Sequence, residues 1–128
     1  MSEPTLFDAP SKRGALSTSA AQGHAIREAV GPKLYRVLRR YYEHPGSMTP
    51  DECGLSLGME PLSARPRVSQ LHTVGWLEPT GARRRTEGGG IGAALRISNK
   101  GATVYQAAQR EADPVAAIER MYREARHG

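Results

Sequence analysis

Residues 49–77 read TPDECGLSLGMEPLSARPRVSQLHTVGWL. The Thr49 side chain can accept a hydrogen bond from the backbone N–H three residues on, and the Glu52 carboxylate can accept one from the Thr49 N–H. That reciprocal pair is a capping box, with Pro50 in the first helical position, where its missing N–H costs nothing. Cys53, Leu55 and Leu57 are the apolar members of the helix it opens, and Gly58 ends it. Met59-Glu60-Pro61 is a short connection to a second helix bounded by Gly75. Inside a helix Pro66 would remove one hydrogen bond and crowd the preceding turn. The regular helix is therefore expected to begin near Ala64 or Arg65, with residues 59–63 as turn. Two short helices joined by a turn containing Gly form a helix-turn-helix.

On the C-terminal side, Gly75-Trp76-Leu77-Glu78-Pro79 reads as a short strand, with Pro79 at its end or on an edge. Residues 81–92, GARRRTEGGGIG, read as a basic and then glycine-rich loop. Ala94-Leu95-Arg96-Ile97-Ser98 alternates apolar and polar residues, as a half-buried strand does. The two strands make a hairpin around the loop. Asn99-Lys100-Gly101 leads into a helix over 102–110. Asp113 and Pro114 cap and start a last helix to about Arg126, with Val115, Ile118, Met121, Tyr122 and Ala125 along one side.

On the N-terminal side, residues 18–30 read as a helix capped by Ser17 or Thr18, with Ala21, Ala25, Ile26 and Val30 at helical spacing and Gly31 as its stop. Pro32 starts another, through about Glu43, dense in Leu34, Tyr35, Val37, Leu38, Tyr41 and Tyr42. His44-Pro45-Gly46 stops it, and Arg36, Arg39 and Arg40 fall on its exposed side. Residues 1–16 read as a disordered tail holding one apolar pair, Leu6-Phe7. The pair resembles the end of the short motif that binds the bacterial sliding clamp, without that motif's Gln. A docking peptide for a protein partner and an inert tail both stay open.

The expected architecture is mainly α with a small β-hairpin (α+β). A tail (1–16) precedes a helix-turn-helix and hairpin domain (17–101), and C-terminal helices (102–128) offer a dimerisation element. The 128 residues, 38% hydrophobic and 24% charged, suit one globular domain with a small core. No apolar run approaches the roughly 18 residues of a membrane span, and residues 1–14 lack the apolar core of a signal peptide. Cys53 is the only cysteine. A cytoplasmic protein with a packed thiol and no membrane contact is expected.

The net charge is +5. Between residues 65 and 100, Arg65, Arg67, Arg83, Arg84, Arg85, Arg96 and Lys100 stand against Glu78 and Glu87, an excess of five that equals the whole chain's. A basic excess confined to one stretch fits a polyanion, although a solvated basic loop has the same composition.

Two segments carry a family resemblance. Arg65-Pro66-Arg67-Val68-Ser69-Gln70-Leu71 followed by Gly75-Trp76-Leu77 resembles the "RPR-x-x-E-L … G-L-I" segment of small winged helix-turn-helix proteins of phages and prophages. Gly81-Ala82-Arg83-Arg84-Arg85-Thr86-Glu87-Gly88 resembles their "G-x-R-R-x-T-x-S-G" wing. Ser17-Thr18-Ser19-Ala20-Ala21 is similar to the start of their first helix. Gln70 stands where Glu is usual, and Gly88-Gly89-Gly90 lengthens the wing. The Lys100-Gly101 junction is also similar to repressors of the MarR and PadR type, which dimerise through terminal helices. The resemblance implies a winged helix over 17–101 and a double-stranded DNA partner.

At about 100° per residue, Ala64, Val68 and Leu71 share the inward face of the second helix. Ser63, Ser69, Gln70 and Thr73 then point out, with Arg65 and Arg67 on the flanks. Such a face suits a major groove: Gln70 matches adenine, and either arginine matches guanine or phosphate. Arg83, Arg84, Arg85 and Thr86 in the hairpin can reach backbone phosphates or a narrow minor groove. These ten residues are the candidate DNA contacts.

Gly88-x-Gly90-x-x-Ala93 fits a dinucleotide fingerprint only formally, because the strand before it, the helix after it and the distal acid are missing. His24, His44, His72 and His127 have no partner at metal spacing, and no nucleophile with base and orienting acid can be assembled. Neither enzyme, metal nor cofactor is expected. RNA fits less well, for want of an aromatic platform. Two functions remain: a DNA-binding regulator of phage or mobile-element type, or an adaptor within a phage replication, packaging or anti-host complex.

Overall fold

The structure, a computed structural model, describes the backbone of residues 18–85 and 91–127, and side chains over 30–85 and 92–127. Its elements are α1 (Thr18–Glu43), α2 (Pro50–Leu57), α3 (Pro61–Thr73), β1 (Leu77–Arg85), β2 (Ile91–Ile97), α4 (Asn99–Gln109) and α5 (Pro114–His127). They fall into two units, Met1–Val30 and Gly31–Gly128. The described part of the first is helical from Thr18, and the second holds the core and the hairpin. The tail with Leu6 and Phe7 lies outside the described residues.

The expected break at Gly31 does not occur: α1 stays helical through Gly31 and Pro32. A glycine stop needs left-handed backbone, and Gly31 is not among the positive-φ glycines Gly58, Gly75 and Gly81. Its missing side chain serves close approach instead, since a Cβ there would fall 2.9 Å from the Glu119 carboxyl carbon of α5.

The capping box forms as read. Glu52 N donates to Thr49 Oγ1 at 3.1 Å and Thr49 N to Glu52 Oε1 at 2.9 Å, a device worth about 1 kcal/mol. Gly58 ends α2 in the left-handed region at φ 70°. Helix α2 crosses α3 closely, because a Cβ on Gly54 would sit 2.8 Å from that of Ala64.

Helix α3 begins at Pro61, earlier than Pro66 suggests. The Glu60 carbonyl accepts from Ser63 N and Ala64 N at 2.9 and 3.0 Å, so a full turn precedes Pro66. Pro66 then deletes one bond, to the Leu62 carbonyl, in a turn whose Leu62, Arg65 and Pro66 side chains face solvent. Water can take that acceptor, which keeps the cost low.

Ala64, Val68 and Leu71 pack inward, against a core that includes Leu34, Val37, Leu38, Tyr41, Trp76, Leu77, Leu95 and Ile118. The Tyr41 hydroxyl donates to the Met48 carbonyl at 3.0 Å. Met48 in turn exchanges two 2.9 Å backbone bonds with Leu95, a single bridge beside β2.

The Lys100-Gly101 junction has a steric reason. Ser98 N donates to the Trp76 carbonyl at 3.0 Å. Ser98 Oγ caps α4 by accepting from Gly101 N at 3.0 Å, and donates to the Gly75 carbonyl at 2.6 Å. This seats the Gly101 Cα against Trp76, and a Cβ there would collide with the Trp76 carbonyl.

β1 and β2 pair antiparallel, from Leu77 opposite Ile97 to Arg85 opposite Ile91, with an irregularity between Pro79 and Arg83. Gly81 lies there at φ 88°. The hairpin strands are longer than the sequence implied: Arg83, Arg84 and Arg85 belong to a paired strand. Residues 86–90, with Thr86 and the three glycines, lie outside the described residues. The whole is a mainly helical chain with a two-stranded antiparallel hairpin, a winged helix-turn-helix.

The α5 stripe is largely spent within its own chain. Ile118 and Tyr122 are buried, and Val115, Met121 and Ala125 half-buried. Asp113 starts the helix, its Oδ1 accepting from Ala116 N at 3.1 Å. The outer side of α5 carries Arg120, Arg123, Glu124 and Arg126. No described helix is long and apolar enough to cross a membrane.

Candidate nucleic-acid interface

Helix α3 has two unlike flanks. One faces α2 and carries Arg65. Its Nε and Nη2 donate to the two carboxylate oxygens of Asp51 at 2.8 and 2.9 Å, a planar fork. Asp51 is 9% exposed and Arg65 51%, so the anchor is enclosed and the guanidinium reaches outward. The hydrogen bonds from Arg65 hold the Asp51 carboxyl below its ordinary value, and Asp51 raises Arg65.

The other flank faces α5. Arg67 and Gln70 are half-buried there, and the enclosed Gln70 Oε1 corrects that residue's outward placement; Ser63 is half-buried as well. Burial lowers the Arg67 pKa, opposed by nearby Tyr122. Arg67 Nε and Gln70 Oε1 are enclosed without a hydrogen-bond partner among the described residues, as is Trp76 Nε1. The Trp76 ring meets Tyr122 edge-on at 6.2 Å. A cleft of about 280 Å³ runs between the helices, lined by Ser69, Gln70, Thr73, Tyr122 and Arg126 among others.

Between the flanks lies the exposed face: Leu62, Pro66, Ser69 and Thr73. The Thr73 hydroxyl is spent on the Ser69 carbonyl at 2.9 Å. Among the exposed candidates, Ser69 and Arg65 keep a donor directed to solvent.

The hairpin arginines also divide. Arg84 turns onto the start of α2, where its Nε lies 3.0 Å from Glu52 Oε2 and its Nη2 donates to the Ser47 carbonyl at 2.7 Å. Those bonds hold the Glu52 carboxyl low. Alternation along the strand leaves Arg83 and Arg85 on the other side, both exposed and without a carboxylate partner among the described residues. Arg84 thus fastens the hairpin to the helix-turn-helix.

Sequence reasoning missed Asp51 and Ser47 as partners of these arginines, because capping already accounted for the α2 acids. It also missed Arg36 and Arg40, which reach the end of α2 through the Leu57 carbonyl (2.8 Å) and Ser56 Oγ (2.9 Å). Burial pushes the Cys53 thiol up to about 12, a packed and unreactive group. No group of three metal-ligating side chains occurs among the described residues.

No protein-family model matches the chain, and no curated protein matches it. Two solved structures are similar in shape. One is a Methanosarcina mazei Go1 protein described as a possible transcriptional regulator, with TM-score 0.46 and 15% identity over 80% of each chain. The other is disulfide-formed AbfR, with TM-score 0.46 and 16% identity over 87% of this chain and 79% of that one.

Proposed function

We propose that the chain is a double-stranded DNA-binding regulator, with α3 in the major groove and the hairpin against the sugar-phosphate backbone. The observation that carries this reading is the division of labour among the hairpin arginines. Arg84 pins the strand to Glu52 and Ser47, and a pinned strand presents Arg83 and Arg85 at a fixed distance from α3. Two preset cations beside a helix-turn-helix supply the non-specific phosphate attraction that DNA binding begins with. That the regulator is of phage or mobile-element type rests on the sequence resemblance.

The test is fluorescence titration of a mixed-sequence DNA duplex over a salt series. Arg83→Ala with Arg85→Ala is expected to weaken binding and reduce the slope of log K against log salt by roughly 0.9 per arginine. An unchanged affinity and slope would count decisively against the reading.

One observation favours the adaptor as a second reading. Leu55 and Leu62 are 68% and 80% exposed, large apolar side chains on the two helices of the helix-turn-helix. Exposed apolar groups of this kind suit a protein partner. If the chain binds no duplex, and Leu55→Ser with Leu62→Ser abolishes capture of a defined partner, the adaptor reading replaces the first.

A further inference from the structure

We infer that Asp51 is a positioning residue for sequence recognition: it holds Arg65 in one orientation on the edge of the exposed α3 face, and this makes Arg65 the guanine-reading side chain. The inference rests on the DNA-binding reading and deepens it.

Four observations carry it. The fork between Arg65 and Asp51 uses Nε and Nη2 on two separate oxygens at 2.8 and 2.9 Å, which fixes the guanidinium plane. It leaves Nη1, and the second hydrogen of Nη2, directed away from the carboxylate. Asp51 lies in the first turn of a capped helix, 9% exposed, so the anchor does not wander. Ser69 is exposed one turn along on the same side of α3, while the Thr73 hydroxyl is occupied and Gln70 faces the α5 cleft. Arg65 is thus the richest donor at the exposed face.

A free arginine on a surface helix loses much rotamer freedom when it engages a base, and one already held by a carboxylate has lost it beforehand. The major-groove edge of guanine presents O6 and N7, two acceptors that suit a guanidinium; adenine presents one acceptor and one donor. The acceptor-only geometry of guanine fits what Arg65 has left.

Simple electrostatics makes the opposite prediction for the key variant. Asp51→Asn removes a negative charge beside DNA, so charge alone gives tighter binding to every sequence. Positioning gives tighter or unchanged binding to mixed sequence together with lost discrimination at one base pair.

The experiment is selection from a pool of duplexes with a randomised centre, at fixed salt, using the full chain and the variants Asp51→Asn, Arg65→Lys and Ser69→Ala. The wild-type chain is expected to enrich a motif with a guanine that both Asp51→Asn and Arg65→Lys lose, discrimination falling by roughly ten- to a hundredfold. Ser69→Ala keeps that guanine. Circular dichroism and thermal melting of each variant establish that the fold is retained, and Arg65→Lys tests the same contact without touching α2. If Asp51→Asn selects the wild-type guanine, the inference is overturned while DNA binding stands. If the wild-type chain binds no duplex, the DNA-binding reading fails and takes the inference with it.

Discussion

The two flanks of α3 are built on opposite principles. Toward α2, polar groups are paired: Arg65 with Asp51, and close by, Arg84 with Glu52 and Ser47. Toward α5, polar groups are enclosed and unpaired among the described residues: Arg67 Nε, Gln70 Oε1 and Trp76 Nε1. The first flank gains little stability, because half-exposed ion pairs contribute about 0–1 kcal/mol, but it fixes directions. The second is backed by deeply buried apolar groups, Trp76, Leu71 and Ile118, yet carries polar atoms that each cost about 1–3 kcal/mol when desolvated and unmatched. Stability thus sits on one side of the helix and orientation on the other.

The largest effect is expected where the α5 flank is seated. Gly101→Ala drives a methyl into the Trp76 carbonyl, and Trp76 cannot retreat because Tyr122 meets its ring and Ser98 N holds that same carbonyl. Loss of roughly 3 kcal/mol or more follows from overpacking of this kind, read as a lowered midpoint in urea. A midpoint within error of wild type would show that the junction can shift and that the seat is not rigid.

A smaller change, of opposite sign, should come from Gln70→Leu. It replaces an enclosed, unmatched acceptor by a side chain of similar size, and a gain of about 1 kcal/mol is expected, near 4 °C in melting temperature. The same variant leaves duplex selectivity unchanged if reading belongs to the α2 flank. A melting temperature lowered by a similar amount would mean that Gln70 Oε1 is satisfied in solution, which would remove the contrast between the flanks.

Much of this fold was legible because its punctuation is local. Thr49, Pro50 and Glu52 announce α2, Gly58 stops it, and Asp113 with Pro114 starts α5; each acts within one helical turn. The inward stripe Ala64, Val68 and Leu71 followed from periodicity alone. Three things were not legible, each for a reason of distance. Gly31 reads as a stop, but its role is set by Glu119, far along the chain. Pro66 reads as a boundary, but the cost of a missing hydrogen bond depends on whether water reaches Leu62. For the site, residue types were visible and their partners were not. Arg65, Arg67, Arg83, Arg84 and Arg85 are alike in sequence. Which of them is paired, enclosed or exposed is decided by how α2, α5 and the hairpin are placed around α3.

The smallest expected effect separates the flanks by pH. The folded-state pKa values of Asp51 and Glu52 are held below their ordinary 3.8 and 4.5, chiefly by hydrogen bonds from Arg65 and Arg84. A carboxyl whose folded pKa is depressed stabilises the fold fully above its unfolded value and loses that contribution as pH falls through the folded one. Stability from the α2 flank is therefore complete at neutral pH and declines below about pH 4.5. On the α5 flank, Arg67 stays charged and Gln70 and Trp76 do not titrate, so these three groups are indifferent to the same acidification. Melting curves from about pH 7 to pH 3 should show an acid limb that is slightly shallower in Asp51→Asn with Glu52→Gln than in the wild type. An identical limb in the double variant would mean that other carboxylates carry the acid sensitivity, and that the α2 flank fixes direction without contributing measurable stability.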